Sequence, residues 1–214
     1  MGLLRHQTIQ HTGRAAFEKG ETVFKEHLLP TFTGNTDQVL VLHFDPPSCL
    51  RILDPVYDAD VLVAPRDVNN AEAGTLLLPR ALVPALHLSD PQNIILKSND
   101  DFAPPEWLFG PEPERTWCYY FEKADLARQT GDWEKVAKLG DKAFGMPLSP
   151  ADSAEYMPFI EAYARLGRSE DALTLTENAL EKNSAVRAML CGLWARIGQT
   201  NEIPDEVLDH CPIR

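Results

Sequence analysis

Apolar positions along the chain follow two different rhythms. In the first half they come in short runs. Residues 38–44 (QVLVLHF) and 49–53 (CLRIL) are dense in β-branched and large apolar side chains, and acid–proline steps end them at Asp45-Pro46-Pro47 and Asp54-Pro55. Runs of that length between breakers predict short buried strands. Residues 93–97 (NIILK) predict a further strand, and Gly34-Asn35-Thr36-Asp37 predicts a turn. Residues 14–29 place Phe17, Phe24 and Leu28 at helix-like spacing between charges and stop at Pro30, which predicts an amphipathic helix. Residues 76–88 predict another helix, with Pro79 near its start and Pro84 awkward within it. Together these elements make a small α/β unit.

The second half repeats. Gly131, Gly167 and Gly198 each follow a helical run and stand 36 and 31 residues apart, while Ala143 and Ala179 are again 36 apart. A period near 34 with glycine at the turn predicts stacked helix pairs. A helix that ends in a left-handed residue favours a side chain without Cβ, which accounts for the glycines. Asp132 and Ser169 stand where the next helix needs an N-cap.

Proline marks the border between the two rhythms. Twelve of the 17 prolines lie from Pro30 to Pro113, and none lies between Glu114 and Met146. The predicted organisation is an N-terminal helical arm (residues 1–30), a small α/β subdomain (31–102), a proline-rich semi-rigid connector (103–114) and a helical repeat domain (115–214). The fold class is α+β.

Charge and length narrow the function. The net charge is −12, and each half carries −6: 14 acids against 8 bases in residues 1–107, then 18 against 12. Neither half offers a basic surface, so nucleic acid and anionic membrane are not expected partners. No apolar stretch approaches the ~20 residues that span a bilayer. The first ten residues hold one arginine and no apolar core, so no secretory signal is expected there. The chain is then either cytosolic or a soluble piece of a protein anchored elsewhere.

The helical half resembles the tetratricopeptide repeat. Counted from the turn glycines, Tyr120 and Tyr156 match the large aromatic near the start of the first helix, and Ala127, Tyr163 and Trp194 fall at its second bulky position. Val136 and Ala172, then Ala143 and Ala179, match the small packing positions of the second helix. Ile160 and Cys191 depart from the pattern where it has a small residue, and Gly140 and Thr176 where it has an aromatic. A second resemblance spans roughly residues 32–198. Phe32-Thr33-Gly34-Asn35-Thr36, residues 39–43, the stretch from Pro46 to Pro55, and Trp117-Cys118-Tyr119-Tyr120-Phe121 onward are similar to the soluble C-terminal part of bacterial polytopic, GT-C (mannosyltransferase-type) membrane proteins. Residues 61–74 fit that pattern poorly. This resemblance implies an extracytoplasmic domain beside a sugar-transferring membrane enzyme. The membrane catalytic part is missing, so no transferase activity carries over.

By the first resemblance, Asp125, Arg128, Gln129, Glu161, Arg165 and Arg196 project into a concave groove with Phe121 and Met157 deeper. Such a surface suits a peptide, another protein or a neighbouring domain; the alternatives are that these are ordinary solvated charges, or that the α/β half or the connector fills the groove. Cys49, Cys118, Cys191 and Cys211 have no C-x-x-C spacing, and no metal or cofactor site is expected. A Cys49–Cys118 disulfide would tie the two halves in an oxidising compartment, and Cys191–Cys211 would staple the tail. Four reduced cysteines packed as small apolar residues is the default expectation. Arg51 near Cys49 invites a nucleophile reading, but no histidine–acid pair stands beside them, and Arg51 is expected to pair with Asp45 or Asp54. The reading is a non-catalytic interaction or accessory domain on the extracytoplasmic face. Its rivals are a cytosolic peptide-binding scaffold and an enzyme built on the Cys49 loop.

Overall fold

The computed structural model describes residues 18–26, 31–58, 82–94, 105–111 and 114–211. Strand β1 (Thr22–Glu26) pairs antiparallel with β2 (Thr31–Asn35), in a register that sets Thr22 opposite Asn35 and Glu26 opposite Thr31. The helix expected over residues 14–29 is therefore corrected at 22–26; its other residues lie largely outside the described ones. Phe24, which that helix would have buried, is exposed, so no packed apolar face supports a helix, and the β-branched ladder wins. Asn35 leaves β2 by capping a 3₁₀ turn, Thr36–Gln38, through a bond from Asp37 N to its Oδ1 at 2.8 Å.

Strands β3 (Val41–His43) and β4 (Arg51–Leu53) form a second antiparallel pair, with Leu42 opposite Ile52. Both predicted strands exist but are shorter, because Asp45 and Ser48 close a turn between them at 2.9 Å. Residues 83–88 of the predicted second helix form a 3₁₀ turn, Val83–Leu88, with proline near its start. Residues 93–97 do not start as a strand: Asn93 closes the 3₁₀ turn Pro91–Asn93, capped by Asp90, and 95–97 lie outside the described residues. The expected α/β unit is thus, among the described residues, two small antiparallel sheets linked by the 3₁₀ turn Thr36–Gln38, with two further 3₁₀ turns after β4. The connector holds one helical turn, α1 (Glu106–Phe109), whose Trp107, Leu108 and Phe109 are exposed.

Six helices follow: α2 (Trp117–Gln129), α3 (Trp133–Phe144), α4 (Met157–Arg165), α5 (Ser169–Lys182), α6 (Arg187–Ile197) and α7 (Asp205–His210). α2 packs on α3 and α4 on α5; α4 also contacts α2, α3 and α6. The two hairpin turns match bond for bond. Gly131 N and Gly167 N reach Arg128 O and Ala164 O, and the next amides reach Ala127 O and Tyr163 O. Gly131 and Gly167 have φ of 72° and 76°, a region costly for any residue with a Cβ. Gly198 does not share this role. Its φ is −61°, and a Cβ there would press on the tip of the Ile203 side chain. Asp132 caps α3 through Lys135 N at 3.2 Å. Ser169 is already the first residue of α5, and Arg168 holds the cap position without a capping bond.

Val136, Ala143, Ala172 and Ala179 are all fully buried between the hairpins. Gly140 has no room for the aromatic of the repeat pattern, because a Cβ would meet Phe159 Cδ1 at 2.7 Å and the Tyr163 hydroxyl at 2.8 Å. Thr176, one period on, accepts from buried Trp194 Nε1 at 3.1 Å. Trp117, Phe144, Tyr156 and Phe159 form one ring cluster inside the helical half, as core aromatics do. The chain is a mixed α+β protein, and no described helix is long and apolar enough to cross a membrane.

Candidate functional site

The inner face of the hairpins collects its side chains from three helices. Phe121, Asp125, Arg128 and Gln129 come from α2, Met157, Glu161 and Arg165 from α4, and Arg196 from α6. The structure brings these residues together, but not as an open groove. Residues 51–58 lie across them, and Phe121, Asp125, Arg128, Met157 and Glu161 are buried. The expectation of a groove free for a peptide is corrected by this segment, which supplies its own backbone and charges to the face.

The junction is a buried chain of alternating charges. Arg51 Nη2 meets Asp58 Oδ1 at 2.8 Å, Asp58 Oδ1 stands 3.8 Å from Arg128 Nη2, and Arg128 Nη2 meets Asp125 Oδ1 at 2.7 Å. Gln129 Nε2 donates to the Ile52 carbonyl at 2.8 Å, which pins β4 to the end of α2. The loop is preorganised from within: Asp54 N donates to Asp58 Oδ2 at 2.7 Å, and Asp54 Oδ1 accepts from Val56 N and Tyr57 N. The Tyr57 ring then lies under the guanidinium groups of Arg128 (4.9 Å) and Arg196 (5.5 Å), with Trp133 at its edge. Fully buried Glu161 is neutralised by Arg165 at 2.9 Å and Arg196 at 3.3 Å. Arg165 and Arg196 form the partly exposed rim.

Burial raises the Asp125 pKa, and the Arg128 charge opposes the rise. For Arg128, burial alone would lower the pKa, but Asp125, Asp58 and Glu161 together hold it above its ordinary value. Breaking such a buried pair by removing one partner costs about 3–5 kcal/mol, because the other charge is left without compensation. Arg51 was expected to pair with Asp45 or Asp54; it pairs with Asp58, seven residues on, because the turn at 54–58 folds back over β4.

All four cysteines are bridged, which overturns the default of reduced thiols: Cys49 with Cys118 and Cys191 with Cys211. The first bridge fastens the chain just before β4 to the start of α2. Beside it sits Glu155, fully buried, which takes Cys49 N on Oε1 at 2.8 Å, and Trp117 Nε1 and Ala151 N on Oε2 at 2.7 and 3.1 Å. Burial raises the Glu155 pKa, and these donors work against the rise. Cys49, bridged and buried, has no thiol with which to act as a nucleophile. Among the described residues no group of three or more His, Cys, Asp or Glu side chains is placed to hold a metal ion.

Sequence reasoning missed Tyr57, Asp58 and Glu155. Tyr57 and Asp58 looked like ordinary loop residues, and nothing in the spacing of Glu155 sets it apart from the many surface acids. A cleft of about 580 Å³ opens between Pro55, Val56, Asp90, Ile94 and Leu126, a size that suits a small ligand. Its two carboxylates already serve the chain: Asp54 holds the 54–58 turn, and Asp90 caps Gln92 and pairs with Lys19 at 3.5 Å. No family model, no curated protein and no solved structure matches the chain.

Proposed function

We propose that this chain is a non-catalytic accessory domain on the extracytoplasmic side of a bacterial membrane, beside a sugar-transferring membrane partner of the kind its sequence resembles. The observation that carries this reading is the pairing of every cysteine, with one bridge fastening the segment that covers the inner face. Disulfides persist in oxidising compartments and are rare in the cytosol. In this reading the helical half is a short tetratricopeptide-like array. Two matched hairpins support it, together with a third, degenerate pair closed by Cys191–Cys211. The inner face that other arrays use for peptides is here engaged by residues 51–58, so a protein partner meets other surface. The cytosolic peptide-binding alternative requires an uncovered face and reduced thiols, and both bridges weigh against it.

Counting thiols tests the reading. Protein purified without reductant and alkylated in denaturant is expected to keep its mass, and to gain four alkyl groups only after reduction. Two or more cysteines alkylated before reduction would overturn the compartment assignment.

A further inference from the structure

The charge network on the inner face encloses a small space. Arg51, Tyr57, Asp58, Asp125, Arg128 and Met189 line a cavity with room of about 10 Å³ for the centre of a water-sized particle. Two of the lining residues each carry a buried donor, Arg51 Nη1 and Arg128 Nε, that meets no hydrogen-bond acceptor among the described residues. Arg51 is 6% and Arg128 2% exposed, so bulk solvent does not serve them. Buried donors of native proteins are satisfied, and where the chain supplies no acceptor an ordered water or ion does so.

We infer that this cavity is a binding site for one water molecule, which accepts from Arg51 Nη1 and Arg128 Nε and has Asp58 and Asp125 at hand for its own protons. Volume decides against a larger occupant. A single water needs roughly 10–15 Å³ by this measure, so phosphate, sulfate or a carboxylate does not fit. Charge decides against a small anion. Arg51 and Arg128 are already matched one for one by Asp58 and Asp125, so the lining has no unpaired positive charge to hold one. A neutral molecule with two protons and two lone pairs complements two unpaired donors and two carboxylates. The water completes the joint between residues 51–58 and α2, on guanidinium nitrogens that the direct ion pairs leave over.

Crystals of the oxidised chain, with and without a bromide soak, test the site together with water-to-protein NOE spectra on the Arg128 Nε–H. The expected result is an oxygen peak within about 3.2 Å of both nitrogens, unchanged by bromide, and a cross-peak with the sign of long-lived water. An empty cavity, or an anomalous bromide peak in it, would overturn the assignment. Arg51→Lys removes one of the two donors and is expected to abolish the cross-peak at Arg128. An undiminished cross-peak in that variant would show that Arg51 does not hold the water, which also overturns the proposal.

Discussion

Glu155 shows how a single side chain joins the halves of this protein. It is fully buried, and its two oxygens receive three N–H donors from three places in the sequence: Cys49 before β4, Trp117 at the start of α2, and Ala151 ahead of α4. An amide at this position has one acceptor oxygen, and its NH₂ group would face a donor. Glu155→Gln is therefore expected to destabilise the oxidised protein by about 2 kcal/mol, the cost of leaving a buried donor unmet. A urea melt checks it, and an unchanged midpoint would mean that the three bonds contribute nothing. Nothing local announced this residue. An acid whose donors include residues 38 and 106 positions earlier in the chain looks the same in sequence as one that faces water. Gly140 was legible in part: its departure from the aromatic of the repeat pattern was visible, but the reason, the rings of Phe159 and Tyr163, is a tertiary contact.

Helical hairpins meet each other through a polar link as well as through alanine. Asp141 on α3 accepts from the Tyr163 hydroxyl on α4 at 2.9 Å and from both terminal nitrogens of Arg168, in the turn before α5, at 2.9 and 3.0 Å. The Arg168 bonds, aided by Tyr163, hold the Asp141 carboxyl below the usual carboxylate range. A carboxylate with a depressed folded pKa contributes stability above its unfolded pKa, and loses it as pH falls through the folded value. The pair is largely exposed, so Asp141→Asn is expected to cost about 1 kcal/mol or less at neutral pH. That deficit should shrink as the pH drops below about 4. Denaturation of both proteins across acid pH checks it, and a deficit independent of pH would place the effect elsewhere. The hairpins were the legible part of the fold, because left-handed turn glycines and buried small residues recur at a fixed interval. The first half was not. The apolar rhythm of Phe17, Phe24 and Leu28 fitted a helix, but the partner strand Thr31–Asn35 decided the outcome, and Pro84 left only a 3₁₀ turn where a helix was expected.

Across the whole molecule, the covered inner face defines the architecture. The residues of that face were named by the resemblance to the tetratricopeptide repeat, which implies that the first helix of each pair lines an inner face. What covers them could not be read. Arg51, Tyr57 and Asp58 reach Arg128 across some seventy residues, and charged side chains are patterned alike whether a face is wet or filled. The cysteine pairing was visible only as one possibility, since four cysteines without a motif spacing are also compatible with none. With the Cys49–Cys118 bridge, the ion pairs and the Gln129 contact all acting on residues 51–58, that segment belongs to the stable core and is no displaceable lid. Native-state hydrogen exchange on the oxidised chain distinguishes the two. The amides of Asp54 and Asp58, bonded at 2.7 Å and 2.9 Å within the segment, are predicted to exchange as slowly as those in the middle of α2 and α4. Exchange at near-unprotected rates while those helices stay protected would contradict it, because the segment would then leave a face that the folded helices hold open.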